Sequence, residues 1–464
     1  MARWPIVAFG ASLCLLAVAA VQAGPRLVSA IEGAPLLHNA GWARPSGRAP
    51  LPIQPFAVGK TPAWSTTDPA VAQLQEQLKR MPDDPLSAAR YAQLGSLYLQ
   101  KVRESGDPAY YPKAEAVFQK SLELAPENAL AMVGMGSLAL ARHDFAAALE
   151  WGLRAVQQAP RGYVAYGIVA DAATELGRYD EAVHALQQMV DLRPDQLSLS
   201  RISYARELHG DLPNAIIAMQ QAVDAGDNRS EGTAWARVQL ANLYFISGDL
   251  ENAELQYRAA LYFLPDYAHA LAGLGRVTAA RGDLKGAATL YEQALMHVPW
   301  PQYAIELGDV YRALGKQAAA QQADDLVRVI AQLQRANGMD VDLEMALFEA
   351  DHAVDVAARA AALQTARVAY ERRPESVHAE DVLAWALYRA GRPDEALPYA
   401  RRALRLGSKD PLMLFHAGAI AAAADQPAEA QSYLEAVLAL QPRFSVRYAP
   451  ELKRLLDQLQ ARTL

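Results

Sequence analysis

Cysteine is almost missing from this chain: Cys14 is the only one in 464 residues, and it lies inside an apolar N-terminal run. A mature chain without that run would hold neither a disulfide nor a catalytic thiol. The nine histidines are scattered one or none per sequence unit, with no HExxH and no paired spacing for zinc. A Gly-x-Ser-x-Gly elbow is absent as well, which removes the hydrolases built on it. Positive charge is in deficit, with 44 basic residues against 51 acidic ones and a formal charge of -7, or -8 if Arg3 leaves with the N-terminus. Nucleic acid is therefore not the expected partner.

What the chain has is a ruler. Pro126, Pro160 and Pro194 fall 34 residues apart, Pro265 and Pro299 do so again, and Pro374, Ser408 and Pro442 once more. A fixed period of this length marks an array of stacked units. Such an array buries its core between neighbours, so function is expected on an extended surface and not in a closed catalytic pocket.

Within each period residue types recur at fixed offsets. Leu240, Ala241 and Tyr244 share one helix, Gly248-Asp249 makes a turn, and Ala253, Tyr257 and Ala260 share a second helix before Pro265. The next unit repeats this with Leu274, Gly275, Gly282-Asp283, Ala287, Tyr291 and Ala294, and an earlier one with Val169, Ala170, Gly177, Ala182 and Leu186. Small residues let two antiparallel helices approach, and large ones fill the space beside the contact. Glycine ends the first helix in a left-handed conformation, aspartate caps the second, and proline stops it. The pattern resembles the tetratricopeptide repeat family from about Leu86 to Pro442, which implies an all-α solenoid of about ten helix hairpins, with first helices lining a concave face that binds proteins or peptides.

Departures from the period place insertions. Seven extra residues in the first unit predict a longer hairpin loop from Arg103 to Tyr110, and the stretch from Gly226 to Gly232 predicts a surface loop. Ala320, Ala323, Val327, Ile330 and Leu333 keep helical spacing through a long helix ending at Asn337-Gly338, read as a joint between sub-arrays at 85–336 and 337–464. The unit from Asp342 to Pro374 is the most degenerate. Leu452, Leu455, Leu456 and Leu459 predict a capping helix.

Residues 1–23 have the layout of a secretory signal peptide: Arg3, an apolar run from Ile6 to Val21, and Val21-Gln22-Ala23 before Gly24. Export to a bacterial periplasm is the expectation, and an uncleaved inner-membrane anchor is the alternative. Residues 24–84 read as a proline-rich arm, with eight prolines from Pro25 to Pro69, acting as a linker or a tether.

Chemistry-bearing patterns fail on context. Gly134-Met135-Gly136-Ser137-Leu138-Ala139 fits a loose dinucleotide pattern but lies within a first helix. Gly315-Lys316-Gln317 lacks the spacing and hydroxyl of a phosphate loop. Asp340-Val341-Asp342-Leu343-Glu344 lacks the later glycine and glutamate of a calcium loop and reads as helix N-terminal acids. Neither a cofactor, a metal nor catalysis is expected. Arg401, Arg402, Arg405 and Lys409, with Arg372-Arg373, read as solvated helix faces.

The expected surface is therefore concave. Ser137, Asp171, Tyr204, Asn242, Arg276 and Asp309 recur at spacings of 33, 34 or 38 residues and form a ladder suited to peptide recognition. The alternative is that Arg276 and Asp309 pair with each other. The family's carboxylate clamp is incomplete here, so that specificity is not carried over. In the second sub-array His378, Trp385 and Tyr388 share a face and Phe415 follows on the next first helix, as anchors for a partner or as core. The reading is a protein- or peptide-binding adaptor of the cell envelope. The alternatives are an anchored scaffold of a secretion or polysaccharide-export machine and, from another class, an enzyme with a site between arm and groove.

Overall fold

Each sequence unit folds as an antiparallel helix pair, and the computed structural model, which describes residues 62–463, stacks ten of these pairs in chain order. Among the described residues there are 22 helices and no strand. Helix α1 (Thr67–Arg80) precedes the first pair. The first five pairs are α2 (Ala88–Ser105) with α3 (Tyr110–Leu124), α4 (Ala129–Ala141) with α5 (Phe145–Gln158), α6 (Tyr163–Glu175) with α7 (Tyr179–Leu192), α8 (Gln196–Leu208) with α9 (Leu212–Asp224), and α10 (Glu231–Ile246) with α11 (Leu250–Phe263). The second five are α12 (Ala268–Ala280) with α13 (Leu284–His297), α14 (Pro301–Ala313) with α15 (Gln317–Ala336), α16 (Asp342–His352) with α17 (Val356–Arg372), α18 (Val377–Arg389) with α19 (Pro393–Ala403), and α20 (Pro411–Ala423) with α21 (Pro427–Leu440). Helix α22 (Ala449–Thr463) closes the array as the expected cap, with Leu452, Leu455, Leu456 and Leu459 buried.

The fifth hairpin shows the local causes. Gly248 takes φ 84°, which ends α10, and the Asp249 carboxylate accepts the Asn252 N–H at 3.0 Å, which starts α11. Ala241 and Ala253 are 0% exposed at the crossing, beside a fully buried Tyr257. A side chain on Gly273 would meet the Tyr257 ring at 2.1 Å, so the small residue of the next unit makes room for the large one of this unit. Burying such a side chain contributes about 2 kcal/mol. First helices are buried on nearly every face, whereas second helices keep one exposed side, so first helices form the inner layer and second helices the outer.

Two expectations need correction. The extra residues of the first unit lengthen α2 to 18 residues, and the turn that follows is short, because Gly106 takes φ 67° directly after Ser105. The proline-rich arm does not reach residue 84: α1 starts at Thr67, tolerates Pro69 in its first turn, and packs Val71, Leu74 and Leu78 against the first hairpin. The signal-peptide assignment and the arm to residue 61 lie outside the described residues. The joint near Asn337 takes a particular form. Every other second helix lies along the next first helix, but α15 and α16 do not approach closely. Phe348 and Met345 fill the gap, and Arg328 and Arg335 reach across to Glu349 and Asp342 at 3.0 Å each.

The array also touches itself. Arg373 reaches Glu175 across 198 residues of sequence at 3.3 Å, a separation of roughly six repeats and thus one full turn of the superhelix. Five successive hairpin turns of the first half meet five successive inter-repeat segments of the second. A side chain on Gly106 would meet Val298 at 2.9 Å, Asp340 donates its N–H to Arg142 O at 2.8 Å, Val377 donates to the Tyr179 hydroxyl at 2.8 Å, and Gln441 Nε2 donates to Phe245 O at 2.9 Å. On the remaining rung Leu208 is buried with Val377, Ala403 and Met413. Trp64, just ahead of α1, adds a further rung, its ring edge-on to Tyr267 at 6.1 Å. The result is a continuous seam between adjacent turns.

Candidate functional site

The seam decides what the inner face can do. From Asp171 to Asp309 the side chains of the expected ladder are taken up by hydrogen bonds within the chain. Arg201 holds Asp171 through two hydrogen bonds of 2.9 and 2.7 Å, and both side chains are largely buried, at 3% and 12% exposure. Burial pushes the Asp171 carboxyl up, and Arg201 pulls it back. Tyr204 and His378, picked from different sub-arrays, meet at 3.2 Å between hydroxyl and Nε2. Burial lowers His378 to about 4, which leaves the imidazole neutral.

Asn242 accepts from the Tyr257 hydroxyl at 2.6 Å and from Arg276 at 3.0 Å. Arg276 does not pair with Asp309, contrary to the alternative drawn from the spacing. It turns to Glu306 at 3.1 Å, and although burial opposes its charge, the Glu306 carboxylate raises the guanidinium pKa. Asp309 binds Arg312 at 3.2 Å and Arg447, from the segment before the cap, at 3.0 Å. The ladder is an internal polar network.

The aromatic set of the second half is core. Trp385 is 0% exposed, stacked on His416 at 4.0 Å, and donates Nε1–H to Asp351 at 2.7 Å. Phe415 is also 0% exposed and lies 4.9 Å from the Tyr448 ring. Tyr388 packs half-buried against Trp385 at 5.0 Å. The cap supplies the extra layer that turns a concave face into an interior.

One stretch of inner face stays open. Between α2, α4 and α6 lies a groove of about 200 Å³ whose floor is Ala92, Ser96, Val133 and Ser137, with Leu130 and Val164 at its rim. Leu130 is 53% exposed, the one large apolar side chain so exposed on a first helix among the described residues. Small and apolar residues occupy the ladder positions here, where later repeats carry ion pairs, so nothing spans the groove. Among the described residues no group of histidine, cysteine, aspartate or glutamate side chains is arranged to hold a metal ion, and no helix is long and apolar enough to cross a membrane.

Sequence reasoning missed Arg201, Glu306, Arg373 and Arg447. Arg201 and Glu306 had a signal, since a charge at a buried first-helix position demands a buried partner. Arg373 was read as solvated, but it is 6% exposed because the seam covers it. Arg401, Arg402 and Arg405 do lie on an outer face and pair with Glu429 and Glu380.

Over 274 residues the chain is 27% identical to the cellulose synthase 1 operon protein C of Komagataeibacter xylinus, which is 59% of this chain but 18% of that protein's length. Among solved structures, a human IFIT1 dimer with m7Gppp-AAAA covers 74% of this chain and 77% of its own at 16% identity and a TM-score of 0.46. YrrB, described as a TPR protein with an unusual peptide-binding site, covers 43% of this chain and 97% of its own at 18% identity and a TM-score of 0.29. The tetratricopeptide repeat model matches residues 111–163, 170–230, 238–304 and 349–411, a little over half of the sequence, and the chain belongs to the tetratricopeptide repeat family.

Proposed function

We propose that this chain is a non-catalytic, protein-binding scaffold of the bacterial cell envelope, serving a machine that makes or exports a polysaccharide. The observation that carries the binding role is the apolar groove between α2, α4 and α6, the part of the inner face not taken up by the chain's own ion pairs. Its volume and apolar lining suit an aliphatic side chain of a partner segment, with Gln93 and Ser96 at hand for its backbone. The envelope role draws on the likeness to the cellulose synthase operon protein and on the signal-peptide layout of residues 1–23.

A photo-crosslinking residue placed at Leu130 in the full chain, in its own cells, tests the reading. The expected result is a discrete crosslinked protein partner from Leu130 and none from the equally exposed outer-face position Leu438. Equal yields at both positions, or none at Leu130, would sink it. Mass spectrometry of the exported chain tests the location, and a chain still starting at Met1 or Ala2 would favour an anchored scaffold over a periplasmic one.

A further inference from the structure

Where the seam crosses the second and third hairpins it buries more negative than positive charge. Glu344 at the start of α16 is 1% exposed, and neither of its carboxylate oxygens finds a well-aligned donor. Its nearest ionisable neighbour is His143 Nδ1, 3.3 Å away on the hairpin turn between α4 and α5. Glu175, the last residue of α6, is 6% exposed and has a single contact of 3.3 Å to Arg373, whose guanidinium lies 4.9 Å over the Phe145 ring.

The other charges around this cluster are already committed. Arg142 binds Glu115 at 2.8 Å, Asp171 is held by Arg201, Asp340 by Arg372, and Asp342 by Arg335. Arg405 faces the Tyr179 ring and binds Glu380. Two buried carboxylates are therefore left with one guanidinium. Full ionisation would leave an uncompensated charge inside the seam, which is strongly unfavourable.

We propose that Glu175, Glu344, His143 and Arg373 form a proton-operated latch: with protons held on the two carboxyls the superhelical turns stay shut over the inner face, and their loss parts them. The consequence rests on the protein-binding reading, since parting of the turns would widen a partner's access to the inner face. The latch itself is a property of the isolated chain.

Burial pushes both carboxyls up to about 7, against 4.5 in water. Closure thus binds protons, is fully favoured below about pH 4.5, and is lost as pH rises through about 7. His143 acts in the opposite sense. Burial and then Arg373 lower it to about 3 from 6.5, so its contribution to closure is complete above about 6.5 and fades as pH falls toward 3. Two carboxyls act against one imidazole, so maximal closure lies near about pH 4.5, and the stronger opening is on the alkaline side.

The test is hydrogen exchange read by mass spectrometry on the full chain without partner, at about pH 5.5 and 8.5, corrected for the intrinsic pH dependence of exchange. Protection at residues 173–179 and 373–377 should fall roughly tenfold or more at the higher pH, as expected for a proton equilibrium displaced by over one pKa unit. The turns at Gly282 and Gly391, which have nothing near them, should not change. The double substitution Glu175→Gln with Glu344→Gln should keep the seam protected at the higher pH. Equal seam protection at both pH values in the native chain overturns the latch, as does a uniform loss along the chain or a double variant that opens like the native one. If the double variant does not fold, Glu344→Gln alone must weaken the alkaline loss, and an unchanged loss overturns the proposal. Failure to find a partner at Leu130 leaves these readings intact, so the two ideas fail separately.

Discussion

The two halves of the array use the same hairpin for different ends. Gly177, Gly210 and Gly248 in the first half and Gly282, Gly315 and Gly391 in the second all take φ between 73° and 95°. A side chain on Gly177 would strike the Glu375 backbone at 2.2 Å and one on Gly210 the Gly407 carbonyl at 2.1 Å, whereas the last three would meet nothing within 4 Å. The inner faces differ in the reverse sense. The first half keeps a groove open at Leu130, and the second is filled with Trp385, Phe415, His416 and Tyr448. A repeat's sequence sets its own hairpin, and its place along the superhelix sets what that hairpin touches.

The largest effect should come from emptying the filled half. Trp385→Ala removes a fully buried ring stacked on His416 and strips Asp351 of a donor. It should cost about 3–5 kcal/mol, read by chemical denaturation. Retained stability with a lost partner would return Trp385 to the binding surface and end the contrast between filled and open inner faces.

The glycines allow the comparison to be broken directly. Gly282→Ala carries the left-handed backbone penalty alone, about 1–2 kcal/mol. Gly177→Ala adds a clash with the Glu375 backbone and should cost roughly 1–3 kcal/mol more, the range for forcing extra volume into packed structure. Equal losses in the two variants would mean that the turns do not press on each other in solution.

The difference between these glycines could not be read in the sequence. The period exposed the hairpins, the turn at Gly248-Asp249, the long α15 and the cap, because each rests on residues within one or two units. The seam joins residues 198 apart, and its register follows from the small rotation each repeat adds, to which many side chains contribute. The ladder was legible as positions but not as occupancy. Nothing in Asp171 or Asn242 shows whether the chain itself supplies the partner, as Arg201 and Arg276 do. Helix α1 had a signal that the prolines hid, since Val71, Leu74 and Leu78 keep a helical spacing.

A smaller effect should follow from one seam hydrogen bond. Gln441 is 3% exposed, and its amide is held by Phe245 O across the seam. Gln441→Ala removes that donor while the Gly248 N–H still meets the carbonyl at 3.1 Å, and the expected cost is about 0.5–1.5 kcal/mol. The companion substitution Gln426→Ala, at an exposed turn of the second half, should change stability by less than about 0.5 kcal/mol. Similar costs for both would argue that the seam opens before the array unfolds.

The smallest global effect, and the most local one, is expected at the joint between α15 and α16. Backbones do not approach there, and Arg328 spans the gap with two hydrogen bonds of 3.0 and 3.3 Å to Glu349. The pair is more than a third exposed, so Arg328→Ala should cost under about 1 kcal/mol in global stability. The joint is also fastened from outside, where Asp340 donates its N–H to Arg142 O. Limited proteolysis of this variant should therefore sever residues 337–341 only when the seam is open as well, at about pH 8.5 and not at about 5.5. Cutting at both pH values would show that the Arg328 bridge alone protects the joint. The two halves would then be separate bodies meeting at Asn337, as the break in the period suggested, and the seam would be a loose contact between them.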